Sequence, residues 1–233
     1  MKKTLLTFAL AVACLGASAQ SQPAPVAPAK APAAAAGYAE MLGATVADLM
    51  KTGDPAALKA VADRLERAAA VAPADWLPRY YQAYALTINA FQSQEDADAK
   101  DKTLDRAEAA LAQARQLKGD ASEMLVLQAY LYQARLRVAP MARGQQYSEL
   151  VDEAVAQAQA LNPNNPRAYL ILANNLYYTP AEYGGGPATA KPLYEKALAL
   201  FAAEKPATPL SPAWGQARAA SALATINGAT ASK

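Results

Sequence analysis

The chain contains no histidine, a single cysteine at position 14, and no apolar run long enough to cross a bilayer. Each absence excludes something. Without histidine, the usual general base and the usual metal ligand are both missing, and so are Ser-His and Cys-His catalysis. Zinc, haem iron and iron-sulfur clusters lose their ordinary protein ligands with it. With one cysteine, no intrachain disulfide can form, so stability has to come from packing. Charge is also balanced. Residues 1–19 hold two Lys and no acid, leaving 20 basic against 20 acidic side chains in the rest of the chain. No basic footprint for nucleic acid or an anionic membrane surface results. Carboxylate chemistry alone survives these exclusions, and the chain reads as a non-enzyme with no metal site and no cofactor.

The amino-terminal residues set the expected compartment. Lys2 and Lys3 precede an apolar stretch from Leu5 to Leu15, and Ala17-Ser18-Ala19 supplies the small residues of a signal-peptidase site. At about 11 residues the stretch falls short of the roughly 20 a spanning helix needs. The expectation is a signal peptide over 1–19 and an exported protein, periplasmic or secreted. The alternative is a lipoprotein modified at Cys14, although Ala11 stands where the lipid-attachment motif carries Leu. Residues 20–37 follow as an Ala/Pro-rich linker, with Pro23, Pro25, Pro28 and Pro32 spaced against helix and sheet alike.

From Tyr38 the pattern becomes apolar residues at three-and-four spacing, rich in Ala and broken by Pro, Gly and Asn, without the alternation of a strand. Asp54-Pro55 reads as an N-cap followed by proline at the first helical position, while Gly119, Asn162-Pro163 and Pro140 with Gly144 mark further breaks. Nine helices are predicted, near 38–51, 54–72, 75–92, 99–118, 121–138, 146–161, 166–178, 187–203 and 211–226, with a flexible tail over 227–233.

The segments repeat. Ala110, Ala112, Gln113, Ala114 and Leu117 recur 44 residues later as Ala154, Ala156, Gln157, Ala158 and Leu161, and Pro78-Arg79-Tyr80-Tyr81 with Ala85 returns as Pro166-Arg167-Ala168-Tyr169 with Ala173. The first match is a closing helix and the second an opening one, so two helix types alternate.

On these residues the chain resembles the tetratricopeptide repeats. In the unit Pro166 to Phe201, Tyr169, Leu172, Ala173, Leu176, Ala190, Tyr194 and Ala197 are similar to the family's bulky and small positions. Spacings of 46, 44 and 39 among Ala68, Ala114, Ala158 and Ala197 exceed the family's 34, so the units are expanded. The resemblance implies an all-α, tetratricopeptide-like helical-hairpin solenoid of about four repeats over 38–226, ending in a capping helix.

It also implies a concave binding face. Carrying over the family's inner positions gives Arg79, Gln82 and Asn89 on one opening helix. The next contributes Glu123, Val126, Tyr130 and Gln133, and the last Arg167, Leu170, Asn174, Tyr177 and Tyr178. Amides, arginines and aromatics suit a peptide backbone and its side chains. The expected function is therefore a scaffold or adaptor binding a protein or peptide partner in the groove. The alternative is a small-molecule-binding accessory protein whose repeats enclose a pocket.

Two other features have plain structural explanations. Tyr183-Gly184-Gly185-Gly186-Pro187 fails as a phosphate loop, because Ala190 and Pro192 flank Lys191, and reads as an enlarged turn. The acidic run Glu95, Asp96, Asp98 and Asp101 reads as a solvated connection and helix start.

Overall fold

The computed structural model describes residues 33–231, which form one unit. The signal peptide, the lipid-attachment alternative at Cys14 and most of the linker lie outside the described residues. Among the described residues there are nine α-helices and no strand: α1 (Ala33–Lys51), α2 (Pro55–Val71), α3 (Leu77–Gln92), α4 (Ala97–Gln116), α5 (Ala121–Val138), α6 (Pro140–Leu161), α7 (Pro166–Tyr178), α8 (Pro187–Ala203) and α9 (Gln216–Ala231).

Local chemistry explains most boundaries. Asp54, Asp96, Asp120 and Asn165 each accept a hydrogen bond from a backbone N–H in the first turn of α2, α4, α5 and α7, at 2.8, 2.8, 2.9 and 3.0 Å. These caps satisfy donors that the helix cannot reach. Proline stands at the first turn of α2, α3, α6, α7 and α8, where its missing N–H costs nothing.

Some boundaries differ from those predicted. α1 begins inside the segment read as linker, because Ala33–Ala36 follow the last proline of that stretch and alanine favours helix. α6 starts at Pro140 after a one-residue break and runs through Gly144, which has open space around it. α9 starts at Gln216 instead of 211 and continues through the expected tail to Ala231, since Pro212 and the left-handed Gly215 hold the preceding residues out of helix.

Consecutive helices pair as hairpins, and α1, α3, α5 and α7 also touch in succession, forming one layer, with α2, α4, α6 and α8 returning alongside. The predicted helical-hairpin architecture is therefore present. Ala68, Ala114, Ala158 and Ala197, the small positions of the closing helices, are all fully or almost fully buried. Their size lets the backbones approach. Ala158 shows how tightly, since its carbonyl accepts a 3.0 Å hydrogen bond from the Ser122 hydroxyl on α5, the other helix of the same hairpin. Ala158→Leu is expected to cost about 1–3 kcal/mol by overpacking this contact, readable as a lower melting temperature by circular dichroism, and an unchanged melt would show the spacing to be loose.

The triple-glycine turn is packed. The Gly186 N–H donates to the Leu176 carbonyl at 2.8 Å, and a Cβ on Gly185 would fall 2.2 Å from the Thr179 oxygen, so glycine is required where the turn closes against the end of α7. Asp96 caps α4, and Asp101 is held by Arg143 and Arg135 at 2.7 and 2.8 Å, bonds that keep its carboxyl below the usual range.

Candidate functional site

Between α8 and α9, residues 204–215 run as a non-helical strap across one face of the α3–α5–α7 layer. Three anchors hold it. At its start, Glu204 pairs with Arg167, a 3 % exposed side chain on α7. Arg167 Nε also donates to both oxygens of Glu123 on α5, at 2.9 and 3.1 Å. Glu123 accepts further from the Tyr80 hydroxyl on α3 and from Asn165 Nδ2, both at 2.8 Å. Burial pushes the Glu123 carboxyl up and Arg167 opposes that shift. Burial alone would lower Arg167, but Glu123 and Glu204 raise it well above its ordinary range.

At the far end, the Trp214 indole donates to the Tyr80 hydroxyl at 2.8 Å and stacks on Tyr84 and Tyr130 at centroid distances of 4.7 and 5.7 Å. Phe91 stacks on Tyr130 in turn at 5.0 Å, and Arg218 of α9 donates to the Tyr130 hydroxyl. Gly215 allows this insertion. Its φ of +110° suits glycine, and a Cβ there would lie 2.7 Å from Leu170 and 2.9 Å from Phe201. Midway, the Tyr81 hydroxyl donates to the carbonyls of Leu210 and Ser211 at 3.0 and 3.1 Å.

The strap flanks an open apolar cavity, with Ala39, Ala47, Thr208 and Pro209 exposed at its mouth. A space of about 710 Å³ lies between α1 and residues 208–210, lined by Ala39, Gly43, Val46 and Ala47 of α1, by Leu77 of α3, and by Thr208, Pro209 and Leu210. The α1 residues fall on one helical stripe, while Leu42, Thr45 and Leu49 bury the adjacent stripe in the core. A Tyr38 hydroxyl bond to Asp75 at 2.9 Å, and an Asp75 bond to the Leu77 N–H at 2.9 Å, tie α1 to the start of α3. Ala39, Gly43 and Ala47 project little, so the wall is flat. The lining carries no charged side chain, and its one hydroxyl belongs to Thr208. Its volume is that of a small-molecule pocket, and its chemistry suits an apolar body.

The predicted inner-face residues do not form one groove. Tyr130 and Arg167 do share the strap-bearing face, with Leu170, but the strap covers them. On α3 that face carries Tyr81 and Tyr84 instead of the predicted set. Arg79 NH1 bonds Gln82 at 2.8 Å and lines a separate 250 Å³ recess with Gln113 and Gln116. Asn89 Nδ2 bonds the Pro55 carbonyl at 2.7 Å, Gln133 Nε2 bonds the Ile171 carbonyl at 2.8 Å, and Asn174 accepts from Tyr194 at 2.8 Å. These amides join helices to one another. Tyr177 and Tyr178 pack edge to face at the end of α7, and Tyr178 is 76 % exposed.

Two elements of the candidate site have no counterpart in the sequence reading, the strap and the α1 stripe. The strap had a readable signal, since Pro206, Pro209 and Pro212 recur every third residue and favour extended chain. The stripe had none beyond a run of small residues at helical spacing.

No protein-family model and no curated protein matches this sequence. Among solved structures, the HusA haemophore from Porphyromonas gingivalis is 36 % identical, with a TM-score of 0.74, over 83 % of this chain and 94 % of that one. That likeness overturns the expected protein- or peptide-binding scaffold and favours the small-molecule alternative. The geometry gives the physical reason, since the face expected to take a peptide is occupied by the chain's own residues 204–215. With this identity over nearly the whole of the other chain, the protein belongs to the family of the HusA haemophore.

Proposed function

We propose that this protein is a non-enzymatic haem-binding protein that holds its ligand in the apolar cavity between α1 and the strap. The observation that carries the reading is the coincidence of a haemophore relative with an uncharged, flat-walled cavity of about 710 Å³. The residues fit the ligand in a particular way. The chain has no histidine, so no imidazole can reach the iron, and recognition falls to apolar contact of the macrocycle with the surface formed by Ala39, Gly43, Ala47, Pro209 and Leu210. Apolar faces gain from leaving water, while the carboxylates of the ligand stay at the open mouth.

Export to the periplasm or beyond belongs to the same proposal. It is supported by Lys2, Lys3, the apolar stretch and Ala17-Ser18-Ala19, and by the fact that, among the described residues, no helix is long and apolar enough to cross a membrane. The hairpins are read as diverged tetratricopeptide units, on the recurrence of the Ala114 and Ala158 segments.

The test is a pair of absorbance titrations on the protein of residues 20–233, one with haem and one with iron-free protoporphyrin. Binding through the macrocycle predicts that the two affinities agree within about threefold, less than the ~1.4 kcal/mol that a tenfold difference represents. Haem bound more than tenfold tighter would show that iron ligation dominates, and no binding of either would end the haem reading.

A further inference from the structure

We infer that Tyr81 is a positioning residue for ligand binding: through its hydroxyl it sets the place of the strap wall that faces α1, without itself lining the cavity. The inference rests on the haem reading for the identity of the ligand and on geometry for the role. One wall of the cavity is helix, fixed to the core by Leu42, Thr45 and Leu49. The opposing wall, Thr208-Pro209-Leu210, is not part of any helix and has to be held by side-chain bonds.

Those bonds are few. Thr208 and Ser211 close a small exposed turn, with Ser211 N–H donating to the Thr208 carbonyl at 3.1 Å and Thr208 N–H donating to Ser211 Oγ at 3.0 Å. That turn shapes the wall but does not attach it. Glu204 and Trp214 attach the strap at its two ends, four or more residues away from the wall on either side. Between them, the bond that ties the wall to the helical layer is the Tyr81 hydroxyl, shared between the Leu210 and Ser211 carbonyls. The Tyr81 ring is fully buried beside Tyr80, so the hydroxyl has a fixed origin. Burial, with the Glu123 charge behind it, keeps the phenol protonated and therefore a donor.

For a ligand held by apolar contact, wall spacing decides affinity, since a gap of half an ångström to one ångström forfeits a quarter to a half of each contact's attraction. Removing one oxygen atom from Tyr81 leaves the cavity lining chemically unchanged and frees the wall to shift. Tyr81→Phe is expected to weaken haem and protoporphyrin binding alike, about tenfold, the loss concentrated in a faster off-rate. A tyrosine elsewhere provides the comparison. Tyr194 is buried on α8 and donates to Asn174 at 2.8 Å, so Tyr194→Phe loses a similar bond, one that joins α8 to α7 and does not involve the strap. It should lower the melting temperature to a similar extent and leave both affinities within twofold of wild type.

The experiment measures haem and protoporphyrin titrations, stopped-flow off-rates and thermal melts for wild type, Tyr81→Phe and Tyr194→Phe. A second route to the wall is the single variant Ser211→Ala, which removes the acceptor of the Thr208 N–H without changing a lining residue and should raise the off-rate in the same direction. If the wild type binds and Tyr81→Phe binds as tightly, the positioning role is wrong and the haem reading stands, whatever the turn variant does. If both tyrosine variants weaken binding equally, the effect is general destabilisation and the role is again wrong. If the wild type binds neither ligand, the haem reading fails first and this inference goes with it.

Discussion

Replacing Glu123 by alanine is expected to destabilise the protein by about 3–5 kcal/mol, the range for removing one partner of a buried ion pair. The size follows from what is left behind. Arg167 would keep its charge at 3 % exposure, with Glu204, whose side chain is partly open to water, as its remaining counter-ion. The Tyr80 hydroxyl would lose its acceptor while still accepting from Trp214, and Asn165 Nδ2 would retain Ser122 at 3.0 Å. One substitution therefore disturbs α3, α5, α7 and the strap together. At a few degrees per kcal/mol for a domain of this size, the melt should fall by about 10 °C. A double variant separates charge from shape. Glu123→Leu with Arg167→Met removes both charges and should recover much of the loss, because well-packed apolar replacements of buried ion pairs are often neutral. A Glu123→Ala protein that melts with the wild type would mean that Glu204 and water suffice to balance Arg167 and that the Glu123 pair does not hold the helices together.

The sequence made the helices legible because capping and proline chemistry act locally. Asp54 caps α2 as the Asp54-Pro55 pair implies, and the buried Ala114, Ala158 and Ala197 recur because each hairpin meets the same steric problem. The binding face was less legible. Arg167 and Tyr130 fall on the inner face as the repeat pattern implies, yet nothing in that pattern says that a distant segment of the same chain covers them. Trp214 falls within the helix predicted near 211–226, yet it packs against Tyr84 and Tyr130 from a loop and not from a helix. On α3 the register failed outright. Arg79 and Gln82 lie towards α2 and α4, because Tyr81 and Tyr84 supply the contacts with the strap. A long-range pairing such as Tyr81 with Leu210 leaves no periodic trace in either segment.

The cavity was invisible for a related reason. Ala39, Gly43 and Ala47 are residues that a sequence offers as helix filler, and they become a wall only once residues 208–210 stand opposite. Gly43 therefore tests the account most directly. It sits mid-helix, where glycine weakens a helix by roughly 1 kcal/mol relative to alanine, and a Cβ there would point at Leu210 Cδ2 across a distance of 3.5 Å, an ordinary contact. Gly43→Ala should then raise the melting temperature slightly and keep the ligand. Gly43→Phe should fold, since its ring enters space that is open in the protein, but that ring occupies the cavity itself. The decisive measurement is a haem titration of Gly43→Phe beside Gly43→Ala and wild type, with circular dichroism melts on the same samples. Gly43→Phe is expected to keep its helical melt and to lose haem affinity by more than tenfold, while Gly43→Ala binds as the wild type does. A folded Gly43→Phe protein that binds haem as tightly as wild type would place the ligand elsewhere and contradict the account.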